Sequence, residues 1–238
     1  MGDIKKILDS PSYIKAYKDV EFLNREELRP VRLQLELRKA ELIMQDEGVE
    51  STIVVFGSAR TDEDHPYYKA AREFSRIVST ACQLDGKCEY VVVTGGGPGI
   101  MEAANRGADD VGAKSIGLNI SLPFEQAPNP YITPELCFDF HYFAIRKMHF
   151  LMRARALAAF PGGFGTLDEL FETLTLIQTG KSDPVPVILF GQEYWERLIN
   201  FDVLVDEGMI SPKDLDLFSY AETPEEAWKV ITDFHAVK

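Results

Sequence analysis

"YVVVTGGGPGIMEAANRGADD", residues 90–110, decides the fold. Its first part is a short β-branched run, Val91 to Thr94, with no polar alternation. Such a run reads as a strand buried on both faces, the habit of a parallel sheet. Three glycines and Pro98 end it, and Gly99 opens a helical segment. The glycines allow a tight turn in which backbone N–H groups and a helix N-terminus face an anion.

The same unit repeats on both sides of this stretch. "TIVVFG" (52–57) is a β-branched run ending in glycine, and "YYKAAREFSRIVSTACQ" reads as the helix after it. "SIGLNI" (115–120) is a third strand and "CFDFHYF" (137–143) a fourth. "IRKMHFLMRARA" reads as helix, "LAAFPGG" (157–163) as a strand running into glycines, and "LDELFETLTLIQTG" as helix. "VPVILF" (185–190) is another strand, followed by a helix around "QEYWERLINFDVLVDEG". "LFSYAE" precedes "TPEEAWKVITDF", where Thr223, Pro224 and Glu226 form a capping box with proline at the first helical position. Strands alternating with helices predict an α/β protein with a parallel sheet covered on both faces. No domain-scale linker or internal repeat interrupts it.

Residues 1–50 differ in character. "NREELRPVRLQLELRKAELIMQDEGVE" is rich in Leu, Glu and Arg and has no glycine before Gly48. It predicts one long helix with Asn24 as N-cap and Gly48 near the end. The expected division is therefore an N-terminal helical extension, 1–50, and an α/β domain, 51–238. The extension either packs on the domain or makes an oligomer contact.

The 238 residues suit one large α/β domain or two small ones. A net charge of −13 argues against a general nucleic-acid or membrane surface, but not against a local cationic pocket. Cys82, Cys88 and Cys137 have no metal-like spacing and read as reduced thiols, which points to the cytoplasm. "MGDIKKILDS" lacks the apolar core of a signal peptide, and no apolar run reaches the ~18 residues of a membrane span.

In open α/β sheets ligands bind off the carboxyl ends of the strands. Three such ends here are small or glycine-rich: Gly57-Ser58-Ala59-Arg60, Thr94-Gly95-Gly96-Gly97-Pro98-Gly99, and Pro161-Gly162-Gly163-Phe164-Gly165-Thr166. Together they predict a phosphate site. The usual fingerprints fail. G-x-G-x-x-G from Gly95 meets Ile100, and from Gly163 it meets Asp168. A P-loop ending on Gly180-Lys181-Ser182 would need glycine at Thr175, and it follows a helix.

"GGGPGIMEAANRGA" (95–108), Arg146-Lys147 and "PGGFGTLDE" (161–169) resemble the LONELY GUY (LOG) family, whose members were often labelled lysine decarboxylases. P-G-G-x-G-T-x-x-E matches in full and ends on Glu169; G-G-G-x-x-G-x-M departs slightly in spacing at Gly99-Ile100-Met101. The resemblance covers roughly residues 50–195. The N-terminal extension, "LPFEQAPNPY" and "LTLIQTGK" resemble the longer bacterial subgroup. It implies a Rossmann-like domain, a homodimer at least, and hexamers in some long members. It also implies a phosphoribohydrolase that splits a nucleoside 5′-monophosphate, often a cytokinin riboside monophosphate or AMP, into free base and ribose 5-phosphate.

The residues suit that chemistry. N-glycoside cleavage passes through an oxocarbenium-like state and needs negative charge near the sugar, a water and an anchored phosphate. Gly57, Ser58, Gly96, Gly97, Gly99 and Met101 form one side of the expected site. Pro161, Gly162, Gly163, Gly165 and Thr166 form the other, with Thr166 as the expected helix N-cap. Asp168 and Glu169 would then lie in the first turn, kept ionised by the helix dipole. Glu169 is the expected catalytic carboxylate and Asp168 the alternative. Arg146 matches the family's Arg-Lys pair as the base- or ribose-side group, with Lys147 beside it. Arginine does not titrate, so it is not expected to be the general acid. Glu125 in "LPFEQ" loosely matches a substrate-contacting Glu of shorter relatives. His65, His141, His149 and His235 lack ligand spacing and read as structural, so no metal is expected. Ser58 lacks a nucleophile-elbow context, and nothing marks a pyridoxal-phosphate lysine; no cofactor is expected. Two rival readings stay open: a nucleotide sensor or carrier without turnover, and a general nucleotide-salvage nucleosidase.

Overall fold

The computed structural model describes residues 3–83, 88–121 and 127–236. Two short helices, α1 (Ile4–Leu8) and α2 (Val20–Leu23), lead into α3 (Arg29–Asp46). The sheet elements alternate with helices: β1 (Thr52–Phe56), α4 (Pro66–Gln83), β2 (Val91–Thr94), α5 (Ile100–Asp109), β3 (Ser115–Ile120) and β4 (Cys137–Phe140). The chain continues through α6 (Phe143–Met152), β5 (Ala154–Ala159), α7 (Phe164–Gln178), β6 (Val187–Phe190), α8 (Gln192–Leu198), α9 (Phe201–Asp206), β7 (Ser219–Ala221) and α10 (Pro224–Ala236).

The seven strands form one sheet in the order β4-β3-β2-β1-β5-β6-β7, and every pairing is parallel. Successive side chains of a strand point to opposite faces. In β1, Ile53 and Val55 therefore join one core with Tyr68, Phe74 and Val78 of α4, and Ala103 and Ala104 of α5. Val54 and Phe56 join the other with Met44 of α3, Phe150 of α6, Leu170 of α7 and Trp195 of α8. Both faces are covered, which is why the strands carry unbroken apolar runs. The α/β expectation with a doubly covered parallel sheet holds. The chain runs outward from β1 to β4 and returns to β1's other side at β5. This reversal puts the crevice at the carboxyl ends of β1, β2 and β5.

Several boundaries differ from the sequence reading. The N-terminal segment is not one helix from Asn24. Asn24 is the C-cap of the four-residue α2, and α3 starts only at Arg29, after a 3-10 turn at Glu26–Leu28. Pro30 has no N–H to donate, so it fits the first turn of a helix and favours a start there. Gly48 does follow the helix end, with φ 73°. The segment around "QEYWERLINF" splits into α8 and α9, because Ile199 is extended and Phe201 turns inward to pack on Phe218, ring centroids 4.6 Å apart. The "RARA" stretch ends a helix and starts a strand: Arg153 is the C-cap of α6 and Ala154 opens β5. The capping box at Thr223 and Glu226 is present, at 3.2 Å in both directions.

Candidate active site

Three strand ends are stitched together by Ser58. Its N–H donates to the Pro161 carbonyl at 3.0 Å, its carbonyl accepts from the Ile100 N–H at 3.0 Å, and its Oγ accepts from the Arg60 N–H at 3.1 Å. The polar groups of Ser58 are thus engaged in holding β1, β5 and α5 in register. Gly57 sits beneath, against Ile100. Gly99 lies against the Ser58 carbonyl with φ 69°, a place where a Cβ would collide with backbone. The N-termini of α5 and α7 consequently open onto one crevice. The first-turn N–H groups of a helix have no intrahelical partner, so Met101 and Glu102 on one helix and Gly165 and Thr166 on the other present donors there.

A buried network shapes the second strand end. The Gly96 N–H donates to Thr94 Oγ1 at 3.0 Å, and Thr94 Oγ1 donates to Asn105 Oδ1 at 2.7 Å. Asn129 Nδ2 donates to the carbonyls of Gly96 and Gly97, at 3.2 and 3.0 Å, and to Asn105 Oδ1 at 2.9 Å. Thr94, Asn105 and Asn129 are buried. The glycine loop is thereby held by Thr94 and Asn105 from its own stretch and by Asn129, which lies outside it. The available sequence signal was Asn105, a polar residue on the apolar face of "IMEAANRGAD" beside Ala103, Ala104 and Ala108.

α7 begins earlier than the sequence reading placed it. Gly163 is the cap, extended at φ −94° and ψ −153°, and its carbonyl accepts from the Leu167 N–H at 3.0 Å. Thr166 is therefore not the N-cap. It is the third helical residue, 6% exposed, with its side chain tucked against Gly162. Tyr194 donates its hydroxyl to the Gly162 carbonyl at 2.6 Å and fixes that turn from β6's side. Gly163 and Gly165 are exposed at the helix mouth.

Asp168 and Glu169 are correspondingly one turn deeper, beyond the reach of a first-turn dipole effect. They also face different ways. Glu169 shares the buried face of α7 with Thr166 and Thr173 and is 7% exposed. Asp168 points outward, where Lys147 pairs with it at 2.8 Å and with Glu172 at 3.0 Å. Burial pushes the Glu169 carboxyl up to about 7, against the downward pull of Lys147 and Arg146, with Glu172 and Asp168 adding to the rise. The expectation that the helix keeps Glu169 ionised is corrected: desolvation outweighs the dipole at this depth.

Arg146 comes to the same crevice from α6. Its Nε donates to the Leu118 carbonyl at 2.7 Å, and its guanidinium lies over the Phe150 ring at 5.2 Å. A Cβ at Gly95 would meet Arg146 Nη2 at 2.6 Å and Met101 Sδ at 2.9 Å, so the bare glycine leaves room for both. Burial lowers the guanidinium's pKa and the Glu169 charge raises it. The sequence-predicted residues Gly57, Ser58, Gly96, Gly97, Gly99, Met101, Arg146, Pro161, Gly162, Gly163, Gly165, Thr166 and Glu169 are therefore gathered around one crevice. Lys147 and Asp168 are not among them: they pair with each other on the outer side of α6 and α7. Glu125 lies outside the described residues. His149 is buried against Phe140, and His141 is exposed at the head of α6. Among the described residues no His, Cys, Asp and Glu cluster could hold a metal.

A groove of about 660 Å³ lies elsewhere, between the outer flanks of α6 and α7, lined by Met148, Met152, Leu176 and Arg155 among others. It contains neither Glu169 nor the glycine turns.

Residues 101–231 match the family described as "Possible lysine decarboxylase". The chain is 31% identical over 186 residues to cytokinin riboside 5′-monophosphate phosphoribohydrolase LOG3 of Arabidopsis thaliana, spanning 76% of this chain and 82% of that protein. It is 29% identical over 195 residues to the phosphoribohydrolase LOG1 of the same plant, spanning 80% and 87%. Among solved structures, the Moco carrier protein of Chlamydomonas reinhardtii aligns with TM-score 0.54 at 22% identity, over 79% of this chain and 99% of that one. At that identity the likeness is one of fold alone.

Proposed function

The chain belongs to the LOG family, and from that premise we propose that it hydrolyses the N-glycosidic bond of a nucleoside 5′-monophosphate, a cytokinin riboside monophosphate or AMP, to free base and ribose 5-phosphate. The observation that carries this reading is the convergence of buried Glu169 and half-buried Arg146 on the crevice where α5 and α7 begin. The 5′-phosphate binds at the two helix N-termini and the glycine turns around them. Glu169, as carboxylate, holds the ribose hydroxyls and stabilises positive charge at C1′. With a carboxyl near neutrality it also suits the task of accepting a proton from the attacking water. The water oxygen bonds to C1′, the C1′–N pair departs with the base, and the base ends with the proton. Arg146 orients the ribose or polarises the departing base through fixed donors that do not titrate. Glu125 is proposed as a further substrate contact.

Incubation with AMP and with isopentenyladenosine 5′-monophosphate, followed by chromatography, tests the reading. Release of neither base by folded protein sinks it. Glu169→Gln and Arg146→Ala are expected to lower turnover by about 100-fold or more while the fold persists, the scale of losing a transition-state charge partner. Full activity in either variant removes that residue from the mechanism. A nucleotide carrier on the same fold would show saturable binding across a nucleotide panel with no turnover, and it has no need of Glu169. A salvage nucleosidase would differ only in base preference, which AMP, CMP, GMP and a prenylated AMP compared side by side would reveal.

The working assembly is proposed as a homodimer at least, the site of action as the cytoplasm, and the chain's division as residues 1–50 and 51–238. The support is an exposed apolar band on α6 and α7, three cysteines that form no disulfide with one another, and the change from helical extension to sheet after Val49. Among the described residues no helix is long and apolar enough to cross a membrane. No cofactor or metal enters the proposed reaction.

A further inference from the structure

The proposed mechanism depends on Arg146, yet α6 does not cap its own N-terminus. Tyr142, its N-cap residue, makes no side-chain cap bond. The anion that serves this end comes from a distant part of the chain. Glu36 of α3 accepts from the His141 N–H at 2.8 Å and from the Tyr142 N–H at 3.1 Å. Arg32, one turn earlier on α3, donates Nε to the Tyr142 hydroxyl at 3.2 Å and Nη1 to the carbonyls of Leu23 and Arg25, each at 2.7 Å. At the other end, Arg153 is the C-cap of α6, and Glu41 of α3 grips its guanidinium with both oxygens at 2.6 and 2.7 Å. That pair is only 17% and 22% exposed. Ala40 and Met44 of α3 are buried in the same core as Phe150 of α6. An exposed single ion pair does little, but a bidentate, shielded pair and a carboxylate at a helix N-terminus are the strong forms of such contacts.

We propose that Glu36 and Glu41 are positioning residues, and that the N-terminal extension acts as a brace that holds α6 at both ends and so sets Arg146 in the crevice. α6 has 10 residues, a rod of about 15 Å. Holding both ends of so short a rod fixes its middle, and Arg146 stands within one turn of the Glu36 end. The guanidinium's bond to the Leu118 carbonyl and its fit over Gly95 leave little room for a shifted helix. The catalytic consequence rests on the hydrolase reading; the mechanical one does not.

The test uses the full chain with Glu36→Ala, Glu36→Gln, Glu41→Arg and the double exchange Glu41→Arg with Arg153→Glu. The readouts are kcat and KM for AMP, affinity for ribose 5-phosphate, and hydrogen exchange along the chain. A misplacement of about 1 Å can cost on the order of 100-fold, so Glu36→Ala is expected to lower kcat by roughly 10-fold or more. Ribose 5-phosphate affinity should fall by no more than a few-fold, far less than kcat, because the helix N-termini that bind its phosphate are not on α6 and only the ribose contact of Arg146 is disturbed. Faster exchange should be confined to residues 143–152. Glu36→Gln, which keeps one acceptor, should recover part of the loss, and the double exchange should recover what Glu41→Arg removes. Wild-type kcat and wild-type α6 exchange in Glu36→Ala would overturn the proposal. So would exchange that quickens evenly over the whole sheet, the mark of general destabilisation. If wild type releases base from no nucleotide, the hydrolase reading fails on its own, and the exchange pattern still decides the brace.

Discussion

Glu169 shows how a motif residue acquires its chemistry from depth. The sequence favours Glu169, which completes the glycine-rich motif, and leaves its neighbour Asp168 as the alternative. The helical period separates them: Glu169 turns inward with Thr166 and Thr173, and Asp168 turns out to Lys147. Spacing in a motif does not reveal which of two adjacent positions is desolvated; packing does. A carboxyl raised from 4.5 to about 7 has a definite sign of linkage. In the folded protein it holds a proton that the unfolded chain has released, so its contribution is neutral below about pH 4.5, turns destabilising as pH rises toward 7, and stays so above. The full penalty is on the order of 3 kcal/mol at most. Glu169→Gln is thus expected to be more stable than wild type in denaturant titrations at pH 8 and equal to it near pH 4. A variant no more stable at pH 8 would show that the carboxyl is not desolvated. Turnover should rise with pH through a limb near 7. Lys147→Met removes the largest downward pull on Glu169 and should move that limb to higher pH, read from kcat/KM profiles; an unmoved limb would assign it to another group.

Elements were legible where burial is complete and obscure where chain ends are negotiated. β1 and β2 are buried along their whole length, so their β-branched runs were plain in sequence. The starts of α3 and α7 were misplaced because each depends on one backbone conformation, the turn before Arg29 and the extended Gly163. The glycine turn after β2 was legible as a site, but the means of holding it was not, because Thr94, Asn105 and Asn129 meet only through the fold. Asn129→Ala would leave the Gly96 and Gly97 carbonyls without that donor in a buried setting. A loss of about 1–3 kcal/mol is expected, together with a raised KM as the loop loses its shape. Unchanged stability and KM would mean that the loop holds itself. Gly99→Ala combines a positive φ with a clash against the Ser58 carbonyl. It is expected to cost more than Asn129→Ala and to uncouple the ends of β1 and β2, with thermal melts giving the ranking.

At the scale of the whole molecule, the parallel sheet was evident from alternation of strands and helices, while the strand order was not. Sequence periodicity says which faces are covered but not which strand returns beside β1, and that return creates the crevice. Surface chemistry adds what the isolated chain leaves unfinished. Phe164 is 92% exposed at the mouth of α7, and Phe143, Met148, Met152 and Phe171 are exposed on the flanks of α6 and α7. So many large apolar side chains on two adjacent helices mark an association surface. We propose that a second copy covers it, which places the subunit contact on the two helices that carry Arg146 and Glu169. Each chain carries a net charge of −13, so association works against repulsion that salt screens, with the Debye length falling from about 30 Å at 0.01 M to about 3 Å at 1 M. Sizing by light scattering should therefore show a dimer or larger, tighter at high salt than at low. Met148→Glu with Phe171→Glu adds charge to the centre of the band and should give monomers. Those monomers should lose turnover in proportion to the dimer lost, because α6 and α7 are then stripped of their outer support. Wild type that stays monomeric at high salt and micromolar concentration defeats the proposal, and monomeric variants with full turnover would separate assembly from catalysis.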